Sequence, residues 1–217
     1  MQFLDRRDAG RQLAAKLAGY ARDPGVLVLG LPRGGVPVAF EVARALHAPL
    51  DVFVVRKLGV PGQRELAMGA IASGGLRVLN MGVIEALRIS PAAVESVVDR
   101  ELLEMERQQR TYRGNGPLPE LSGRNIIIVD DGLATGSTMR AAMAALRQSN
   151  PARIIVAVPV AASETARELA READQVVCVS APLDFHSVST WYEDFSQTSD
   201  EEVRQLLEAG ANVPRPA

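Results

Sequence analysis

Short apolar runs and amphipathic stretches alternate along most of this chain. Val26 to Leu29 is an apolar run closed by Gly30 and Pro32, and it predicts a strand. Leu50 to Val55, Asn125 to Val129, Ile154 to Val158 and Gln175 to Val179 predict further strands. The run Asn125 to Val129 reads NIIIV with no polar alternation, as a strand covered on both faces of a parallel sheet does. Asp8 to Tyr20 places Leu13, Leu17 and Tyr20 on one helical face. Val36 to Leu46, Ser137 to Gln148, Ser163 to Ala173 and Asp200 to Ala209 read as helices, with Ser163 as an N-cap. Such alternation predicts an α/β fold, a parallel sheet flanked by helices. Asn212 to Ala217 contains Pro214 and Pro216 and reads as a loose tail.

One segment breaks the alternation. Ser90-Pro91 opens a helix that runs to about Tyr112, with Pro91 at its first position. Val94, Val98, Met105 and Tyr112 share a face, and Glu95, Asp99, Arg100, Glu101, Glu104, Glu106, Arg107 and Arg110 take the others. Two roles fit: a helix that covers the sheet, or a protruding arm that makes dimer contacts or roofs a site.

Composition narrows the class. The chain has 217 residues, 47% hydrophobic and 23% charged, enough to bury a core and unlike a disordered protein. Lys plus Arg is 24 against 26 for Asp plus Glu, a net charge of −2, which speaks against nucleic acid as a general partner. No apolar run approaches the ~18 residues of a membrane span. The first residues, MQFLDRRDAGRQL, carry charges where a signal peptide needs an apolar stretch. A cytoplasmic protein with no membrane partner is expected. Cys178 is the single cysteine, so no internal disulfide forms.

The chemistry concentrates in Ile127 to Met139, IIVDDGLATGSTM. A buried strand ends in adjacent carboxylates, Asp130 and Asp131. A turn of small residues, Gly132 to Thr138, then opens a helix. Ligands of open α/β sheets sit at such strand ends. Gly136 allows close backbone approach, the first helical N–H groups lack partners, and Thr135, Ser137 and Thr138 add hydroxyls. No Lys follows the second glycine, so this is not a Walker loop, and no G-x-G-x-x-G is present. Two carboxylates repel a phosphate, so they face another part of the same ligand. A ribose diol offers two O–H donors to them. A Mg2+ held by those hydroxyls and a pyrophosphate would balance charge. The implied ligand is a sugar 5-phosphate whose 2- and 3-hydroxyls meet Asp130 and Asp131.

Further segments bear on the same chemistry. Leu31 to Pro37, LPRGGVP, follows the first strand; Arg33 offers planar donors, and Gly34 and Gly35 permit close approach. Taken alone it is also an ordinary Gly/Pro turn. In Val54 to Gly59, VVRKLG, Arg56 and Lys57 stand at a strand end. Phe185, Trp191, Tyr192 and Phe195 cluster in PLDFHSVSTWYEDF, either as an apolar plug or as a platform for a planar base. His47 reads as a helix-end residue, and His186 is a weak candidate for substrate contact.

The acid pair followed by GLA and TGSTM resembles the PRPP-binding signature of the type I phosphoribosyltransferases, closest in pattern to their adenine-type members (PRPP is the 5-phosphoribosyl 1-pyrophosphate donor). The resemblance covers roughly residues 25 to 195. It implies that Asp130 and Asp131 bind the ribose hydroxyls, touching metal only through PRPP. It implies that Ala134, Thr135, Gly136, Ser137 and Thr138 hold the 5-phosphate. LPRGGVP resembles the family's pyrophosphate loop in its xanthine-type R-G-G form, implying Arg33, Gly34 and Gly35 at the pyrophosphate and a non-proline cis peptide at Pro32–Arg33. Lys57 resembles the family's pyrophosphate-contacting lysine, with Arg56 as its substitute. Pro61 to Gly75, with Arg64 and Glu65, occupies the place of the flexible catalytic loop. The F-x-x-V spacing of Phe185 and Val188 is similar to the family's base-covering hood, implying Phe185, Trp191 and Tyr192 at the base.

The implied function is Mg2+-dependent transfer of the 5-phosphoribosyl group from PRPP to a nitrogenous base, with Asp130, Asp131, Arg33 and Lys57 as the catalytic set. The alternatives are a PRPP-sensing regulatory protein with little turnover, or a hydrolase or phosphorylase acting on a ribose phosphate. One position departs from the 6-oxopurine enzymes: Ala134 stands where they carry an Asp. Residues 1–217 are expected to form one domain, with 83–113 a helical insertion, 180–209 a C-terminal hood segment, and a homodimer as the assembly.

Overall fold

A computed structural model describes residues 2–114 and 116–211, and at Arg64 and Glu65 the backbone alone. The expected tail over 212–217 lies outside the described residues, as do the side chains of Arg64 and Glu65. The chain runs α1 (Arg6–Lys16), β1 (Val26–Gly30), α2 (Gly35–Leu46), β2 (Leu50–Val52), β3 (Val55–Val60), β4 (Gln63–Ala72), β5 (Leu76–Leu79) and α3 (Met81–Ala86). It continues through α4 (Pro91–Arg113), β6 (Asn125–Val129), α5 (Ser137–Arg147), β7 (Arg153–Val160), α6 (Ser163–Leu169), β8 (Gln175–Ser180) and α7 (Asp200–Ala211).

The expected parallel sheet is present, with strand order β2-β1-β6-β7-β8. Side-chain alternation splits each central strand between two cores. Leu27, Leu29, Ile126, Ile128, Ile154 and Val156 face Met139, Ala142, Met143 and Leu146 of α5. Val26, Val28, Ile127, Val129, Ile155 and Ala157 face Leu13 and Leu17 of the α1 region and Val38, Ala39 and Val42 of α2. Both faces are therefore dry, which is why these strands read as unbroken apolar runs. Among the described residues no helix is long and apolar enough to cross a membrane.

A second sheet, antiparallel, with order β3-β4-β5, was not visible in the apolar pattern. Leu50 to Val55 is not one strand. Val52 still pairs with Gly30, but Val55 already pairs with Ala72 of the second sheet. Phe53 and Val54 are both buried, in different cores, so hydrophobicity gave no sign of the break. Arg56 and Lys57 consequently lie within β3 rather than at a strand end. Pro61 to Gly75 is largely β4 rather than loop.

The long helix α4 buries Val94, Val97, Val98, Met105 and Tyr112. These share a core with Leu58, Met68 and Ile71 of the second sheet and with Val203 and Leu206 of α7. The covering role fits, and the sheet covered is the second one. Helix ends differ in detail. Asp5 caps α1 by accepting from the Asp8 N–H at 2.7 Å, so α1 starts before Asp8 and gives way to a short 3-10 turn at Ala18–Tyr20. Ser163 is already helical and Ala162 precedes it. The Ser163 hydroxyl instead accepts from Arg167 Nη2 at 2.8 Å.

Candidate functional site

Strand register brings the two glycine-containing loops together. β1 and β6 are parallel neighbours with Gly30 opposite Val129, so residues 31–35 and 130–136 leave the sheet side by side. The Leu31 N–H donates to Val129 O at 2.9 Å and ties the loops at their base. A β-carbon on Gly35 would lie 2.6 Å from Val129 O and 2.9 Å from Asp130 Cα. One on Gly34 would lie 2.0 Å from Asp131 Oδ2. The need for glycine at both positions is thus steric contact with the acid pair. The Pro32–Arg33 peptide is cis, as the resemblance implies.

Asp130 and Asp131 are half-buried. Burial, and after it the charge of Asp131, pushes the Asp130 carboxyl well above the usual carboxylate range. Burial also raises Asp131, against an opposing pull from Arg6. Arg6, at the first position of α1, was not singled out in the sequence. Its Nε donates to Asp131 Oδ2 at 2.8 Å and its Nη1 to Ser196 O at 2.7 Å. Its guanidinium carbon lies 3.9 Å from the centroid of the Phe195 ring.

The turn that follows is shaped by tertiary contacts. Leu133 N–H donates to Val160 O and Ala162 N–H to Leu133 O, both at 2.9 Å. The Thr165 hydroxyl donates to Ala134 O at 2.6 Å, and Arg140 Nη1 to Thr135 O at 2.9 Å. Gly136 is the N-cap of α5 with φ +68°, a left-handed conformation suited to glycine, and it has no side chain to cap the helix. The first turn of α5 is left as an anion cradle rimmed by the hydroxyls of Thr135, Ser137 and Thr138. Lys57 Nζ donates to Ser137 Oγ at 2.8 Å, so the lysine reaches this cradle from β3. Arg56 turns the other way and pairs with Glu101 of α4 at 2.7 Å. Arg56, Lys57, Arg100, Glu101 and Thr138 line a cleft of about 490 Å³.

Arg33 stands 3.8 Å from Asp200, at the start of α7. The Tyr112 hydroxyl donates to the same Asp200 at 2.7 Å, so the first residue of α7 is tied to both α4 and the 31–35 loop.

The aromatic segment divides. Tyr192 is only 4% exposed, packs between Phe3 and Phe195, and donates its hydroxyl to Asp131 O at 2.6 Å. Its expected place at the base is corrected: a buried ring has no open face for stacking, and Tyr192 instead buttresses the acid pair. The Phe3 N–H donates to Trp191 O and the Glu193 N–H to Phe3 O, both at 2.8 Å, which binds residues 2–6 to this segment. Phe185 and Trp191 are half-buried. The indole N–H of Trp191 is buried with no partner among the described residues. His186 is exposed at the surface, 3.2 Å from Asp184.

Among the described residues no three metal-ligating side chains gather. A Mg2+ beside Asp130 and Asp131 would therefore take its oxygens chiefly from a bound ligand and meet the two carboxylates only through it.

A family model described as a phosphoribosyl transferase domain matches residues 2–196. A Mycobacterium tuberculosis protein, named provisionally as a phosphoribosyl transferase, is 49% identical over 218 residues, 96% of this chain and 49% of that protein. The chain therefore spans about half the length of this curated relative. The bifunctional protein PyrR of Corynebacterium diphtheriae is 28% identical over 115 residues, 51% of this chain and 59% of that protein. Among solved structures, the protein TT1426 of Thermus thermophilus is similar over 95% of this chain and 98% of its own, with 42% identity and a TM-score of 0.82.

Proposed function

This chain belongs to the phosphoribosyl transferase family, and from that premise we propose that it transfers the 5-phosphoribosyl group of PRPP to a nitrogenous base, releasing pyrophosphate. The observation that carries this reading is the pairing of a helix start capped by a glycine with an acid pair, at neighbouring strand ends and beside the 31–35 loop. In the proposed complex the first-turn amides of α5 and the hydroxyls of Thr135, Ser137 and Thr138 bind the 5-phosphate. Lys57, held on Ser137, adds positive charge for the pyrophosphate, while Arg56 is turned away onto Glu101 and does not take its place. Asp130 and Asp131 accept from the ribose hydroxyls. Arg33, with the backbone of Gly34 and Gly35, receives the pyrophosphate.

Bond breaking at the anomeric carbon develops positive charge on the sugar and negative charge on the leaving group. The carboxylates stabilise the first and Arg33 the second, in a site where both are already oriented. Mg2+, when bound, would neutralise the pyrophosphate oxygens. Phe185 and Trp191 form the proposed side of the base. A regulatory PRPP-binding protein with little or no turnover is the second reading; Ala134 speaks only against the 6-oxopurine pattern.

Pyrophosphate release with Mg2+–PRPP and a panel of purine and pyrimidine bases tests the proposal. Release that depends on one class of base is expected. In the same assay Trp191→Ala should raise the KM for that base about fivefold or more, since a stacked ring contributes about 1–3 kcal/mol. PRPP binding without release under any base would favour the regulatory reading.

A further inference from the structure

The acid pair has a partner that no part of the family signature supplies. Arg6 is separated from Asp131 by 125 positions, yet its Nε lies 2.8 Å from Asp131 Oδ2. Their side chains are only 11% and 15% exposed. Three restraints hold the guanidinium: the bond to Asp131, the bond from Nη1 to Ser196 O and the Phe195 ring beneath it, while the N-cap at Asp5 fixes the helix start that carries the side chain. The strap ahead of it is fastened by paired backbone bonds between Phe3 and residues 191 and 193. A β-carbon on Gly34 would come within 3.1 Å of Arg6 Nε, so the guanidinium also borders the 31–35 loop.

We infer that Arg6 is a positioning residue of the phosphoribosyl site: it fixes the Asp131 carboxylate through Oδ2 so that Oδ1 faces the ribose diol. This rests on the proposed function and adds to it a residue from the other end of the chain. A side chain restrained this fully is a standing part of the site, not an occupant that ribose displaces. Preorganisation of this kind lowers the cost of ordering the carboxylate on binding. The N-terminal strap and the 183–199 segment then form one roof, and Arg6 joins it to the acid pair.

Calorimetric titration of the full chain with Mg2+–PRPP, ribose 5-phosphate and inorganic phosphate separates the possibilities. Arg6→Ala is expected to weaken PRPP and ribose 5-phosphate about tenfold, the size of one charge-assisted bond. Inorganic phosphate, which probes only the 135–138 turn, should bind as in the wild type. Low-millimolar guanidinium should restore part of the ribose 5-phosphate affinity. Equal or tighter ribose 5-phosphate binding by Arg6→Ala overturns the inference. Should that variant lose phosphate binding as well, Arg6→Lys decides. Intermediate affinity with phosphate binding intact supports the role, and wild-type affinity contradicts it. A wild-type protein that binds phosphate but neither PRPP nor ribose 5-phosphate would instead contradict the proposed function.

Discussion

Replacing Asp130 and Asp131 together by Asn should lower Mg2+–PRPP affinity at least about a hundredfold and remove turnover. Each substitution withdraws a charged acceptor from a ribose hydroxyl, about 1.5–3 kcal/mol apiece, and 1.4 kcal/mol is tenfold. Inorganic phosphate should still bind at the 135–138 turn, because its amides and hydroxyls are untouched. Asp130→Asn alone carries a second signature. The Asp130 carboxyl is raised above its ordinary 3.8 mainly by burial, with the neighbouring Asp131 charge adding to it. Below 3.8 it is protonated whether the chain is folded or unfolded. As pH rises past that value the unfolded chain releases the proton first, so Asp130 progressively destabilises the fold until the folded-state value is passed. Asp130→Asn should therefore melt at a higher temperature than wild type near pH 7, the gap closing in acid. Thermal unfolding across pH checks this, and a variant less stable than wild type at neutral pH would contradict it. Stability given up at this pair is what a site built for a ligand, rather than for packing, predicts.

Gly35→Ala should destabilise the fold by about 1–3 kcal/mol and weaken PRPP binding with it. The methyl carbon would sit 2.6 Å from Val129 O and 2.9 Å from Asp130 Cα, and neither is the end of a flexible side chain. The 31–35 loop has to move off β6, which is overpacking of the kind that costs this much. Because Arg33 travels with the loop, the pyrophosphate subsite moves too. Gly19→Ala is the control, since nothing lies within 4 Å of its added carbon. Denaturant unfolding of the two variants, beside PRPP titration, gives the comparison. Equal midpoints for Gly35→Ala and Gly19→Ala would show that the loop does not press on the acid pair.

The parallel sheet was legible because its strands are dry on both faces, as at Ile126 to Val129, and the turns after them are marked by glycine. That the 31–35 and 130–136 loops meet follows from β1 and β6 being neighbours, which no local pattern encodes. The second sheet was not legible. Phe53 and Val54 continue an apolar run while the chain changes sheets, and Gly69, Ala70 and Ala72 dilute the alternation of β4. Arg6 was missed because its partners lie more than a hundred positions away and its own neighbourhood, Leu4-Asp5-Arg6-Arg7-Asp8, reads as a solvated helix start. A run of charges there carries no sign of the Phe195 ring beneath one of them. The aromatic segment read equally as plug or platform, and burial divides it: Tyr192 is plug, while Phe185 and Trp191 keep part of their surface.

The most direct test of the proposed ligand is a crystal structure of the protein with Mg2+–PRPP. The account predicts the 5-phosphate on the backbone amides of residues 135–138, the ribose diol within hydrogen-bond reach of Asp130 and Asp131, and the pyrophosphate beside Arg33 and Gly34. A 5-phosphate seated outside the 135–138 turn, or a diol with no carboxylate contact, would contradict it.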